Sequence, residues 1–191
     1  MFKHASRLRS ASKGFTLVEL MVTVSVLAVL VGLALPDLRS FLVSNRLSSD
    51  VNGLIGLLNY ARSEAIVRNQ NVVVCPKNNA SNACVTDVNS QFWGKFEIQV
   101  FVDIDGTDTF TNGDEVLKIL PAADPTEGER RIIRVTNTSV IRFGAVGFAQ
   151  VPHRFDVFAV GDAAFEIKYG RTICISKPGR VRVATANNGC A

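Results

Sequence analysis

The stretch K-G-F-T-L-V-E-L-M-V-T-V-S-V-L-A-V-L-V-G-L-A-L, Lys13–Leu35, decides how the rest of the chain is read. From Phe15 to Leu35 it runs for 21 residues that are apolar or small apart from Thr16, Glu19, Thr23 and Ser25. As a helix rising ~1.5 Å per residue it would be roughly 32 Å long, close to a hydrocarbon core of about 30 Å. The segment before it is short and basic: Lys3, Arg7, Arg9 and Lys13, with no acid. By the positive-inside bias that segment stays cytoplasmic and the remainder is exported. A secretory signal peptide and a plain signal anchor both begin in this way. Glu19 fits neither, because an unpaired acid in lipid is expensive: about 2.5–3.5 kcal/mol for a charged residue at a helix centre and less near an end. The run is also too long for a signal-peptide core, and no A-x-A-like cleavage site precedes its end.

Within that stretch, K-G-F-T-L-V-E-L at Lys13–Leu20 places a basic residue and Gly before Phe, and Glu five residues into a chain that starts at Phe15. The string resembles the recognition site of type IV prepilins and type II secretion pseudopilins. The resemblance implies cleavage between Gly14 and Phe15 by the prepilin peptidase, followed by N-methylation of Phe15. It also gives Glu19 a role in assembly, as the partner of a neighbouring subunit's N-terminus; the alternative is a pair with the subunit's own amine. Physically, cleavage creates an α-amino cation in lipid, and an acid one helical turn away compensates it. Such a buried pair fixes register better than it adds stability.

Charge elsewhere is balanced. The formal net charge is +4, but four of the 21 Lys and Arg lie in residues 1–14, leaving 17 basic against 17 acidic residues. Global charge therefore gives no case for nucleic-acid binding, and only local patches can make one.

Beyond the apolar run, Pro36 is expected to kink or interrupt the helix by removing a backbone donor. From Asp37 to about Arg68, apolar residues recur at Leu38, Phe41/Leu42, Leu47, Val51, Leu54/Ile55, Leu58, Ala61 and Ala65. That spacing of three to four predicts one amphipathic helix. Its string N-Y-A-R-S-E-A, Asn59–Ala65, resembles the end of the long helix in GspH/FimT-type minor pilins and pseudopilins. After Asn69 the pattern changes to short runs rich in Val, Ile and Phe: Val72–Cys75, Phe96–Asp103, Glu115–Leu120, Arg131–Thr136, Val140–Phe143, Phe155–Val160, Phe165–Lys168, Thr172–Ser176 and Arg180–Ala184. Gly, Asn, Asp and Pro separate them, which predicts strands of two small antiparallel sheets packed on the helix. Pro121–Glu129 reads as a polar loop. The expected class is α+β with a type IV pilin-like fold. Its parts are a leader over 1–14, a transmembrane helix half over 15–35, an amphipathic half over 36–69, and a periplasmic or extracellular β-rich head over 70–191.

Four cysteines follow the apolar run, Cys75, Cys84, Cys174 and Cys190, and allow three pairings. Export makes disulfides plausible. We expect the local pairs Cys75–Cys84 and Cys174–Cys190, which staple the loop after the first strand and tie down the C-terminus. A loop of ~15 residues closed this way is worth about 3 kcal/mol by the chain-entropy account. The C-x₂₋₄-C spacing of a zinc site is absent.

The chain offers no credible catalytic constellation. After Gly14 the single histidine is His153, expected at the surface of a loop, with no nucleophile motif or phosphate-binding glycine loop beside it. No cofactor or metal is expected. The run V-D-I-D-G-T-D-T-F-T-N-G-D-E, Val102–Glu115, supplies oxygen ligands in Asp103, Asp105, Asp108, Asp114 and Glu115. It misses the EF-hand pattern, with Asp108 in place of Gly at the sixth loop position and Asp114 at the twelfth. A polar hairpin with Asp-Gly and Asn-Gly turn signals is the favoured reading.

From Phe165 onward, Lys168, Arg171, Lys177, Arg180 and Arg182 outweigh Glu166. The string G-R-V-R, Gly179–Arg182, looks like the G-R-x-R element of DNA-binding FimT-type pilins. On a strand, Arg180 and Arg182 would share one face at phosphate-contact spacing; equally, they are solvated charges that protect an edge strand.

Taken together the chain resembles the GspH/FimT family over nearly its whole length. The resemblance implies a structural subunit, not an enzyme, at the tip or in the initiating complex of a type IV pilus or a type II secretion pseudopilus. Its implied partners are other minor and major pilins or pseudopilins, the inner-membrane assembly platform and the prepilin peptidase. It would reside in the bacterial inner membrane as a single-pass protein with its head in the periplasm, then in the filament. The alternative role is a pilus-tip DNA receptor for natural transformation, acting through Lys177, Arg180 and Arg182.

Overall fold

The computed structural model describes residues 14–85, 93–122, 130–134, 139–159, 169–185 and 190, without the side chains of 33–40, 130–134 and 159. The leader up to Lys13 and the expected strand Phe165–Lys168 lie outside the described residues. The chain divides into two compact units, Met1–Leu42 and Val43–Ala191.

Helix α1 spans Leu17–Arg68. It starts where Thr16 caps it: the Glu19 N–H donates to Thr16 Oγ1 at 3.2 Å, and the Leu20 N–H to the Thr16 carbonyl at 3.2 Å. A Thr at this position satisfies a donor that has no partner within the helix. It stops at Asn69, whose φ of 52° is left-handed. There the Asn69 N–H donates to Ile66 O and the Gln70 N–H to Ala65 O, the paired closing bonds of a Schellman motif. Pro36 lies inside α1, so of the expected kink or interruption the interruption does not occur.

In the second unit, α1 buries Leu47, Val51, Leu54, Leu57, Leu58, Ala61 and Ala65, one face at helical spacing. Phe41 and Leu42, read from sequence as part of the same stripe, are exposed.

Two four-stranded sheets complete this unit. The first has β1 (Val72–Pro76), β2 (Ile98–Val102), β3 (Glu115–Leu120) and β5 (Ile141–Phe143), in the order β3-β2-β1-β5. The second has β4 (Arg130–Arg134), β6 (His153–Ala159), β7 (Arg171–Ile175) and β8 (Val181–Thr185), in the order β4-β6-β7-β8. Every pairing is antiparallel. The α1 face, Val72, Val74, Ile98, Val100, Ile141 and Phe143 of the first sheet, and Phe155, Val157, Ile173 and Ile175 of the second form one core. Trp93, in a short 3-10 turn, meets Phe155 edge-on at 5.0 Å between ring centroids. Alternation along β1 sends Val73 and Cys75 the other way, into a smaller cluster with Phe101 and Cys84 that Phe110 and Val140 cover.

Disulfides join Cys75 to Cys84 and Cys174 to Cys190. The first ties β1 to the loop that follows it. The second fixes Cys190 to β7.

His153 corrects its sequence reading. It is the first residue of β6, opposite Ile175, and it is buried. The inward alternation His153, Phe155, Val157 begins two residues earlier than the sequence reading placed it.

Candidate processing and assembly site

Gly14 and Phe15 precede the helix cap, and both are exposed; Phe15 is 79% exposed. The apolar side chains that follow, from Leu17 to Val31, are exposed as well. Among the described residues this apolar face is left exposed.

The polar residues of the run are spent differently from one another. Thr16 accepts the Glu19 N–H. Thr23 Oγ1 donates to Leu20 O at 2.9 Å, and Ser25 Oγ to Met21 O at 2.8 Å, so both hydroxyls are satisfied by the helix that carries them. Glu19 lies in the first turn of α1, where an acid complements the helix dipole. Its carboxylate has no partner among the described residues. Of the four polar side chains in this run, it is therefore the one left to meet something outside the helix.

The expected transmembrane half, Phe15–Leu35, is only partly described, because the side chains of 33–35 lie outside the described residues. Among the described residues no helix is long and apolar enough to cross a membrane.

The acidic run forms the connection between β2 and β3. Asp103, Asp105 and Asp114 place one carboxylate oxygen each within 4.8 Å of the others. Donors already engage these oxygens. The Thr107 N–H donates to Asp103 Oδ1 and Asp105 Oδ1, and the Thr111 N–H to Asp114 Oδ2. Arg142 Nη2 lies 3.2 Å from Asp103 Oδ2, and Arg142 Nε faces Asp108 Oδ1. The pKa of Asp103 is raised, first by burial, while the Asp108 N–H and Arg142 pull it down. Asp105 is held below the usual carboxylate range, first by the Thr107 hydroxyl. An arginine from β5 thus shares the Asp103 carboxylate with the loop's own N–H donors.

Lys177, Arg180 and Arg182 are all exposed, and no carboxylate among the described residues pairs with them. Only Arg182 lies within β8; Arg180 precedes the strand, in the turn from β7. The expected alternation of the two arginines along a strand is therefore incomplete.

Sequence reasoning missed a contact that organises this end of the head. Arg62 Nη2 on α1 donates to Pro178 O at 3.0 Å, in the turn before β8. Its Nε donates to Gly147 O, in the loop between β5 and β6, at 3.0 Å. The available signal was local: Arg62 is the basic member of N-Y-A-R-S-E-A, and each acceptor turn contains a glycine with positive φ, 77° at Gly147 and 78° at Gly179.

Residues 50–185 match the family described as Type II transport protein GspH, and residues 9–35 match the prokaryotic N-terminal methylation motif. A curated relative, the type II secretion system protein H of Pseudomonas aeruginosa, is 40% identical over 60 residues; that stretch spans 31% of this chain and 35% of the relative. Among solved structures, the type IV minor pilin FimU of Pseudomonas aeruginosa superimposes with a TM-score of 0.57 at 19% identity, over 77% of this chain and 96% of FimU. The minor pseudopilin EpsH from the type 2 secretion system of Vibrio cholerae aligns with a TM-score of 0.48 at 11% identity, over 74% of this chain and 98% of EpsH. The likeness to FimU is one of fold, the α+β type IV pilin-like fold.

Proposed function

The chain belongs to the GspH family, and on that premise we propose that it is a minor pilin or pseudopilin, cut between Gly14 and Phe15 and N-methylated at Phe15. It acts as a structural subunit at the tip or in the initiating complex of a type IV pilus or a type II secretion pseudopilus. The segment Phe15–Leu35 holds it in the inner membrane until assembly, with residues 70–191 as a periplasmic head. Its partners are other pilins or pseudopilins, the assembly platform and the prepilin peptidase.

The observation that carries this reading is the state of Glu19. Thr16, Thr23 and Ser25 each satisfy their side chains within α1, whereas the Glu19 carboxylate stands one turn from Phe15 without a partner among the described residues. An acid retained in an apolar segment at such cost is explained by a cation supplied on assembly. The N-terminal amine of a neighbouring subunit is that cation. The Glu19→Leu variant tests the idea: it should be processed like the parent but enter filaments poorly, and normal incorporation would refute the assignment.

No enzymatic role is proposed, since the chain's family is one of structural subunits. The DNA-receptor alternative is not carried further. It rests on Lys177, Arg180 and Arg182 alone, and three surface cations suit an acidic partner of any class.

A further inference from the structure

The loop between β5 and β6 presents an apolar surface that the head leaves open. Val146 is 71% exposed and Phe148 54% exposed. Between them, a Cβ on Gly147 would stand 2.6 Å from Ile66 Cδ1, so the exposed Ile66 side chain at the end of α1 abuts the same loop. The surface is firmly mounted. The Gly147 N–H donates to Gly144 O at 2.7 Å, the Gly144 N–H to Phe148 O at 2.9 Å, and the Ala149 N–H to Lys177 O at 3.0 Å. Arg62 bonds the Gly147 and Pro178 carbonyls together. The last two contacts bring the turn bearing Lys177 and Arg180 against the apolar loop.

The charge of the two turns has one sign. Residues 139–153 and 169–185 contain no Asp or Glu, and neither Lys177 nor Arg180 pairs with a carboxylate among the described residues. A rigid apolar centre with an unneutralised basic rim is complementary to an apolar side chain flanked by carboxylates. Charge complementarity of this kind steers encounter and rejects wrong partners, while the desolvated centre supplies the contact.

We propose that this surface docks the head of a neighbouring pilin-class subunit, through a loop that carries an aliphatic or aromatic residue beside Asp or Glu. The inference rests on the chain's being an assembled subunit and adds which face meets the neighbour and what that neighbour must present. A nucleic-acid backbone would use the two cations but would leave Val146 and Ile66 in water. An apolar protein surface uses all of them.

The test places a photo-reactive benzoylphenylalanine at Val146 in the full-length chain, in cells that assemble the organelle. Cross-linked products are identified by mass spectrometry. The expected product joins Val146 to a different subunit that bears an N-terminal methylation motif, at a site next to Asp or Glu. Its yield should fall about tenfold in the Lys177→Glu/Arg180→Glu double variant, whose urea midpoint should match the parent because both side chains are exposed. A chain present in purified filaments whose Val146 probe links only to itself, to nucleic acid, to lipid or to nothing overturns the docking surface and leaves the assembly role standing. A cross-link to a subunit that survives the double charge reversal overturns the recognition chemistry. Absence of the chain from filaments overturns the assembly role and this inference with it.

Discussion

Arg62 Nε donates to the carbonyl of Gly147 at 3.0 Å, across 85 residues of sequence. The same guanidinium reaches Pro178 O, 116 residues away, so one side chain on α1 holds two turns that belong to different strand pairs. Gly179 is packed into the junction: a Cβ there would overlap Gly147 O and stand 2.9 Å from Arg62 Nε. Its φ of 78° adds a second reason for glycine.

Replacing Arg62 by Met should therefore destabilise the head by about 1.5–3 kcal/mol, the worth of hydrogen bonds from a charged donor. Lys should restore little, since a point-like ammonium cannot serve both carbonyls as the planar fork does. Arg68→Gln is the control. It removes an exposed, solvent-screened pairing with Glu64 and Glu115 and should cost less than the loss of Arg62. Urea unfolding of the three variants checks the order.

The Gly179→Ala variant should be destabilised by at least about 1–3 kcal/mol from backbone conformation alone, with the overlap on Gly147 O adding to it. Gly113→Ala is the contrast, because a Cβ there meets nothing within 4 Å. Thermal unfolding of both would show a large shift for the first and a small one for the second.

Removing the Cys174–Cys190 disulfide as a double serine variant should cost about 3 kcal/mol, given the 16-residue separation it closes. The loss should appear as a lower urea midpoint, and reducing the Cys75→Ser/Cys84→Ser background, where Cys174–Cys190 is the bridge that breaks, should lower stability by the same amount.

The acidic loop makes a prediction about pH. Asp103 has a folded pKa above its ordinary 3.8, chiefly through burial. The folded state therefore holds that proton more tightly than the unfolded chain, and the group's contribution to stability declines as pH rises from 3.8 through the raised value. Asp105 behaves oppositely: its pKa is depressed, so its contribution is present above 3.8 and is lost as pH falls through the depressed value. Relative to the Asp103→Asn variant, the parent should lose stability as pH rises across the window just above 3.8. Urea unfolding at a series of pH values measures the difference directly.

Much of this was legible because it was local. The apolar run, the Gly-Phe-Thr string and the stripe from Leu47 to Ala65 are patterns of one to four residues, and helical periodicity exposes them. Within the described residues, strand runs were legible to within a residue or two, and the β2–β3 hairpin was marked by its turn residues. What the sequence withheld depends on contacts between distant segments. His153 follows Pro152 at the end of a loop, and only the register of β6 against Ile175 of β7 shows that it faces inward. Arg180 reads as part of a strand until β8 is seen to begin at Val181. The Arg62 contact joins residues that no periodicity connects. Glu19 stood out from the start, but that Thr16, Thr23 and Ser25 are all satisfied within α1 emerges only from their hydrogen bonds.

The central claim is that the mature protein begins at Phe15 and is built into a filament from that end. Intact-mass and N-terminal analysis of the chain recovered from membranes and from sheared filaments tests it most directly. The account predicts a single mature species that starts at N-methylated Phe15 in both fractions. A chain that retains Met1–Gly14, or one that starts beyond the apolar run after Leu35, would contradict it.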